Sequence, residues 1–162
     1  MSSIGSNISQ YKAFSVLVVD DEVGIQTMLK KALGKWFGLV DSASSVAEAE
    51  ALKVDNHYDL IILDINLPGE TGVEWLTRFP AQDRPNDVIF MTGYADLETA
   101  ISALRLGATD FILKPFSLEQ MMSSVSRCID KRLVSDGRVR WHMKWKDTLA
   151  QKSKVTVRKP SS

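Results

Sequence analysis

Four short clusters hold the side chains that could handle a charged ligand: Asp20-Asp21-Glu22, Asp64, Thr92-Gly93 and Lys114-Pro115. Each follows directly on an apolar run. Carboxylates drawn together repel, by roughly 3 kcal/mol for a pair about 5 Å apart at an effective dielectric near 20. Three would stay ionised together only beside a cation, and oxygen-only ligands with partial solvent access favour Mg²⁺ over a softer metal. Lys114 cannot alone balance three or four acids, but it can orient a bound oxyanion. Thr92 adds a hydroxyl donor, and Gly93 lets a ligand approach a backbone N–H. A carboxylate nucleophile beside Mg²⁺, a lysine and a hydroxyl is the equipment for accepting a phosphoryl group, with metal and lysine neutralising charge on the transferring oxygens. Taken singly these residues say little, because an Asp after a strand is ordinarily a helix N-cap. Their joint occurrence at four strand ends carries the argument.

The elements that must position them alternate in kind. Short β-rich apolar segments fall at 14–19, 39–43, 60–63, 88–91 and 111–113. Three are continuously apolar, as strands covered on both faces of a parallel sheet are. Between them lie stripes with helical spacing. Ile25, Met28, Leu29, Ala32, Leu33 and Trp36 make the first, and Ala47, Ala51 and Val54 a weaker second. Val73 and Leu76 mark a short helix closed by Pro80, then come Leu97, Ala100, Ile101 and Leu104, and last Leu118, Met121, Met122, Val125 and Ile129. These stripes are expected to face the core. Gly34, Gly38 and Gly107 fall near the expected helix ends, where a left-handed residue is often needed. Five strand–helix pairs in alternation predict right-handed crossovers and an α/β, doubly wound, five-stranded parallel sheet with five helices. In such sheets ligands bind beyond the carboxyl ends of the strands, where the four clusters fall.

With the elements in place, the motifs VLVVDDE at 16–22, LIILDINLPGETG at 60–72, VIFMTGYAD at 88–96 and GATDFILKPF at 107–116 are similar to those of a known family. The chain from about Phe14 to Lys131 resembles the chemotaxis-regulator-like receiver domain of bacterial two-component response regulators, most of all the receivers of nitrogen-regulatory-type activators. The resemblance implies a flavodoxin-like receiver fold with strand order 2-1-3-4-5. It implies that Asp64 accepts a phosphoryl group from a phosphohistidine on a sensor histidine kinase or a histidine phosphotransfer protein. Asp21 would bind Mg²⁺ directly, Asp20 mainly through water, and Asn66 through its backbone carbonyl, with Asp64 completing the set. Lys114 would pair with the acyl phosphate and Thr92 would rotate toward it. Phe111, three residues before the lysine, would follow Thr92 by packing alone, since it lacks the hydroxyl of the tyrosine many relatives carry there. The Lys114-Pro115 bond is expected to be cis. Asn66 and Tyr94 flank the entrance for attacking water and would tune dephosphorylation, with a bulky Tyr94 slowing it. The output surface would be the fourth helix, fifth strand and fifth helix, which could form a homodimer or control a partner.

Composition frames the rest. The 162 residues carry 20 basic and 20 acidic side chains, yet residues 1–130 hold 10 basic and 18 acidic while 131–162 hold 10 basic and 2 acidic. The expected organisation is a flexible lead-in at 1–12, a receiver at 13–132, and a basic tail at 133–162 serving as linker or interaction segment. In that tail Trp141, Trp145 and Leu149 recur at helical spacing among Arg138, Arg140, Lys144 and Lys146. It is read first as packing on a protein, then as contacting DNA or an anionic membrane. A further reading makes the chain a fragment of a longer transcription activator whose output domain is absent, since neither a Walker motif nor a helix-turn-helix is present. No apolar run reaches a membrane span and no secretory signal opens the chain, so a cytoplasmic location is the default. A lone Cys128 allows no internal disulfide, and His57 is expected at the surface. A turnover enzyme is the weaker alternative: a Mg²⁺-dependent phosphohydrolase using Asp64 would need an acid two residues on, and Asn66 cannot supply that proton.

Overall fold

The computed structural model describes residues 10–80, 85 and 87–135, the side chains of 94, 134 and 135 aside. The expected basic helix around Trp141 and Trp145 lies outside the described residues. The chain divides into two compact units, Met1–Val125 and Ser126–Ser162.

The elements follow in the order β1 (Ser15–Val19), α1 (Val23–Gly34), β2 (Leu39–Ala43), α2 (Val46–Asp55), β3 (Leu60–Asp64), α3 (Gly72–Thr77) and β4 (Asp87–Thr92). A 3₁₀ turn (Tyr94–Asp96) then leads to α4 (Leu97–Arg105), β5 (Asp110–Leu113) and α5 (Leu118–Ser135). The strands form one parallel sheet in the order β2-β1-β3-β4-β5, the doubly wound arrangement expected from the sequence. Val19 pairs with both Ala43 and Leu63, Asp64 with Met91, and Thr92 with Leu113. That register brings the carboxyl ends of β1, β3, β4 and β5 to one edge.

The central strands are apolar because both their faces are covered. β3 and β4 are buried along their whole length. The core of the first unit joins Leu17, Val19, Ile61, Leu63, Val88 and Phe90 to helix residues such as Ala49, Trp75, Leu76, Ala100 and Ala103. Each large apolar side chain fully withdrawn from water there contributes about 1.5–3 kcal/mol before entropy is charged. Trp75 buries its ring and satisfies its polar handle, the indole N–H donating to the partly exposed Glu50 Oε1 at 2.6 Å.

Four helices carry residues that differ from expectation; Met28 on α1 and Leu118 on α5, both expected to face the core, are exposed. On α2 the buried positions are Val46 and Ala49, with Leu52 packed against the core, while Ala47 and Ala51 are exposed and Val54 is 80% exposed. Small alanines mark a face weakly, so the buried face was not legible from them; the start of the helix is set by its N-cap, Ser45 accepting from the Glu48 N–H at 3.2 Å. On α4, Ala100 and Ala103 are buried and Ile101 is exposed. The glycines also divide. Gly107 takes a positive φ of 111°, as expected after α4, but Gly34 and Gly38 do not. Gly38 is needed for close approach, since a Cβ there would lie 2.2 Å from the Lys12 carbonyl oxygen. That contact belongs to the segment preceding β1, where Tyr11 is buried and stacks on Phe37 at 5.3 Å.

Candidate acidic site at the sheet edge

β1 delivers Asp20 and Asp21 to the edge, β3 delivers Asp64, and the β5 end delivers Lys114. Asp20 is fully buried, Asp64 nearly so, and Asp21 exposed. One carboxylate oxygen from each of the three lies within 4.8 Å of the others. Lys114 Nζ stands 2.7 Å from Asp20 Oδ2, 3.0 Å from Asp64 Oδ2 and 3.2 Å from Glu22 Oε1. One ammonium thus serves three carboxylates, and the service is incomplete. Asp20 Oδ2 is close to the ammonium but off the direction of a hydrogen bond, and it accepts none from the protein.

Local backbone groups hold the carboxylates in place. Asp20 Oδ1 accepts from the Glu22 N–H at 2.8 Å, and Asp64 Oδ1 from the Asn66 N–H at 3.0 Å. Gln26 on α1 donates through Nε2 to the Asp20 carbonyl and to Ser44 Oγ. Behind Asp64, Gly72 starts α3 so tightly that a Cβ would meet the Asp64 carbonyl oxygen at 2.7 Å. A capping box holds that start, with Thr71 Oγ1 accepting from the Glu74 N–H and Glu74 accepting from the Thr71 N–H.

The electrostatics follow from burial. Desolvation raises the Asp64 pKa above the ordinary carboxylate value; Lys114 and the Asn66 N–H pull it back, while nearby Asp20 adds to the rise. Burial works to lower the Lys114 pKa, but its contacts with Asp20 and Asp64 outweigh it and the ammonium is held more firmly than usual.

The donor set fits a hard divalent cation. It consists of oxygens alone, it carries more negative charge than its lysine offsets, and it leaves the buried Asp20 Oδ2 without a hydrogen bond. Of the remaining sequence candidates, Thr92 ends β4 and Phe111 lies on β5. Thr92 is buried, its hydroxyl donating to the Gly93 carbonyl at 3.1 Å. Phe111 is half-buried against the core. The Lys114-Pro115 bond is cis. Tyr94 opens the 3₁₀ turn, but its side chain lies outside the described residues. His57 is exposed, with Asp59 Oδ1 3.8 Å away. Sequence reasoning missed Gln26 and Asp96, whose carboxylate accepts from Asn66 Nδ2 at 2.7 Å.

A parallel five-stranded sheet with a lysine-bridged acidic cluster at its carboxyl edge defines the class. Residues 16–126 match the response regulator receiver domain, and the chain belongs to that family. It is 35% identical over 114 residues to the regulatory protein AtoC of Escherichia coli, covering 70% of this chain and 25% of that protein. It is 36% identical over 114 residues to the transcriptional regulatory protein MalR of Bacillus subtilis, covering 69% of this chain and 48% of the relative. Among solved structures, the receiver domain of NtrX from Brucella abortus is similar at a TM-score of 0.65 and 33% identity, over 71% of this chain and 98% of that one. The chain therefore spans between about a quarter and half the length of these curated relatives. Receiver domains generally bind Mg²⁺ in an acidic pocket and take their phosphoryl group from a partner such as a histidine kinase. Among the described residues no helix is long and apolar enough to cross a membrane.

Proposed function

We propose that Asp64 is the phosphoacceptor of a two-component phosphorelay. The observation that carries this reading is the double hold on its carboxylate, by Lys114 Nζ at Oδ2 and by the Asn66 N–H at Oδ1. In the transfer, an Asp64 oxygen attacks the phosphorus of a phosphohistidine on a sensor kinase or phosphotransfer protein. An O–P bond forms and the P–N bond breaks, its electron pair staying on the donor imidazole, which ends neutral once a proton is taken up. Lys114 orients and neutralises the phosphoryl oxygens, and Thr92 turns its hydroxyl from Gly93 toward them. Asp20, Asp21, Asp64 and the Asn66 backbone carbonyl would hold Mg²⁺, which supplies charge neutralisation at the transferring oxygens. The domain promotes its own phosphorylation and dephosphorylation and turns over no separate substrate.

Loss of the Thr92 hydroxyl from its resting place makes room for Phe111 to turn inward and reshapes the surface of α4, β5 and α5. That surface controls a partner, a second copy or an output domain of a longer cytoplasmic transcription regulator. Asn66 and Tyr94 set how fast water removes the phosphoryl group; Tyr94→Ala should shorten its lifetime. The decisive experiment is intact mass after incubation with acetyl phosphate and Mg²⁺. A gain of one phosphoryl unit, lost in Asp64→Asn, is expected; no gain, or a gain that survives the substitution, overturns the reading.

A further inference from the structure

Asp96 occupies the N-cap position of α4 and does not cap it. Its backbone closes the 3₁₀ turn, with φ −107° and ψ 15° where Ser45 and Thr71 are extended, and its side chain, of a type suited to receiving first-turn N–H groups, receives none. The N-cap residues of α2 and α3, Ser45 and Thr71, both do. The carboxylate of Asp96 is instead turned across the site mouth, where Oδ2 accepts from Asn66 Nδ2 at 2.7 Å. A carboxylate only accepts, so the amide NH₂ is fixed as the partner.

Asn66 therefore has two attachments. Its backbone N–H holds Asp64 Oδ1 and its side chain holds Asp96. One residue joins the carboxylate at the end of β3 to the start of α4, across 30 positions of sequence. The buried positions of α4 are small, Ala100 and Ala103, and Leu104, packed against the core, lies in its last turn, so contacts at its start weigh in ordering the first turn.

We propose that Asp96 is a positioning latch with two partners. Bound to Asn66 it leaves the α4 start uncapped, and released from Asn66 it turns back to receive the N–H groups of Glu98 and Thr99. The trigger half of this inference rests on Asp64 being the phosphoacceptor. A phosphoryl group there brings about two negative charges and three strong acceptor oxygens within reach of the Asn66 amide. It competes with Asp96 for the NH₂ and repels the Asp96 carboxylate. The freed aspartate then meets the positive end of the α4 dipole. A cap shifts the open–closed equilibrium of a first turn about fivefold. The latch thus links chemistry at β3 to order in α4 through one hydrogen bond exchanged for another.

The test reads amide hydrogen exchange at Glu98 and Thr99 in the full chain, first without any phosphodonor. Asn66→Ala should raise protection there about fivefold, because Asp96 loses its competing partner. Asp96→Ala should not, and the double variant should match Asp96→Ala. Asp96→Asn, which still caps but offers Asn66 a neutral acceptor, should give a smaller rise in the same direction. Unchanged protection in Asn66→Ala, or an equal rise in the double variant, overturns the latch. With acetyl phosphate and Mg²⁺ the wild-type protein should gain protection at both amides and Asp96→Ala should gain none. A phosphoryl unit present by mass with no gain at Glu98 and Thr99 also overturns it. If no phosphoryl unit is taken up, the phosphoacceptor reading fails, and the Asn66→Ala comparison still decides the latch.

Discussion

Asp20 is the residue on which the resting site is most poorly compensated. Fully buried, it shares Lys114 with Asp64 and Glu22 and keeps one oxygen without a hydrogen bond. Replacing it with a neutral isostere removes a like charge from beside Asp64. Asp20→Asn is therefore expected to raise unfolding free energy by about 1 kcal/mol in chelator, measured by urea titration. Wild-type protein should be stabilised by Mg²⁺ through mass action and the variant much less. An undiminished Mg²⁺ response in the variant would remove Asp20 from the metal set. These acids were legible in the sequence because apolar strand runs end at them, so the strand pattern alone brings them to one edge. Asp96 and Gln26 were not legible. Their partners, Asn66 and the Asp20 carbonyl, are reached across loops whose geometry no residue pattern encodes.

At the scale of elements, tight joints keep the site in shape. Gly72 lets α3 begin against the end of β3, and an added Cβ would strike the backbone oxygen of Asp64, which cannot swing aside. Gly72→Ala should cost about 1–3 kcal/mol and slow phosphoryl uptake from acetyl phosphate, since the obstruction moves the proposed acceptor itself. At the opposite end of β3, Tyr58 is buried and donates its hydroxyl to Asp41 on β2. Burial first, then the hydrogen bond and charge of Asp41, raise its pKa well above the usual tyrosine value of about 10. A raised folded-state pKa contributes stability that is fully present below pH about 10 and is lost as pH rises toward the folded value. Tyr58→Phe should cost about 1–2 kcal/mol at neutral pH and flatten the fall in stability above pH about 10, both readable by denaturant titration. The helix faces show why elements were easier to find than to orient. Strands and helices followed from periodicity, but α2 offers alanines on several sides, which leaves its buried face, Val46 and Ala49, unmarked in the sequence. Trp75 went unassigned because its aromatic partner at i+4, Phe79, falls beyond the end of the six-residue helix, although the two rings meet edge-on at 4.9 Å.

For the whole molecule, the acidic excess lies in residues 1–130 and the basic excess in 131–162. Helix α5 continues past 132 to Ser135, with Leu133 buried, so a shortened chain should end at Ser135 rather than earlier. With the tail as a protein-contact segment, full and shortened chains should bind duplex DNA and anionic vesicles equally at physiological salt. A difference between them that falls steeply with salt would reassign the tail to an anionic surface.

The shared lysine also bears on how far a signal can travel as charge. Four carboxylates and one ammonium leave the resting cluster three charges negative. On the proposed function a divalent ion would remove two of these, and a phosphoryl group on Asp64 would replace one carboxylate charge with about two. The loaded site then differs from the empty one by roughly a single unit, screened within about 8 Å at physiological ionic strength. A partner on the far side of the sheet would feel almost no change in field. What it can detect is a change of shape, so the message has to be mechanical even though the event that starts it is electrostatic.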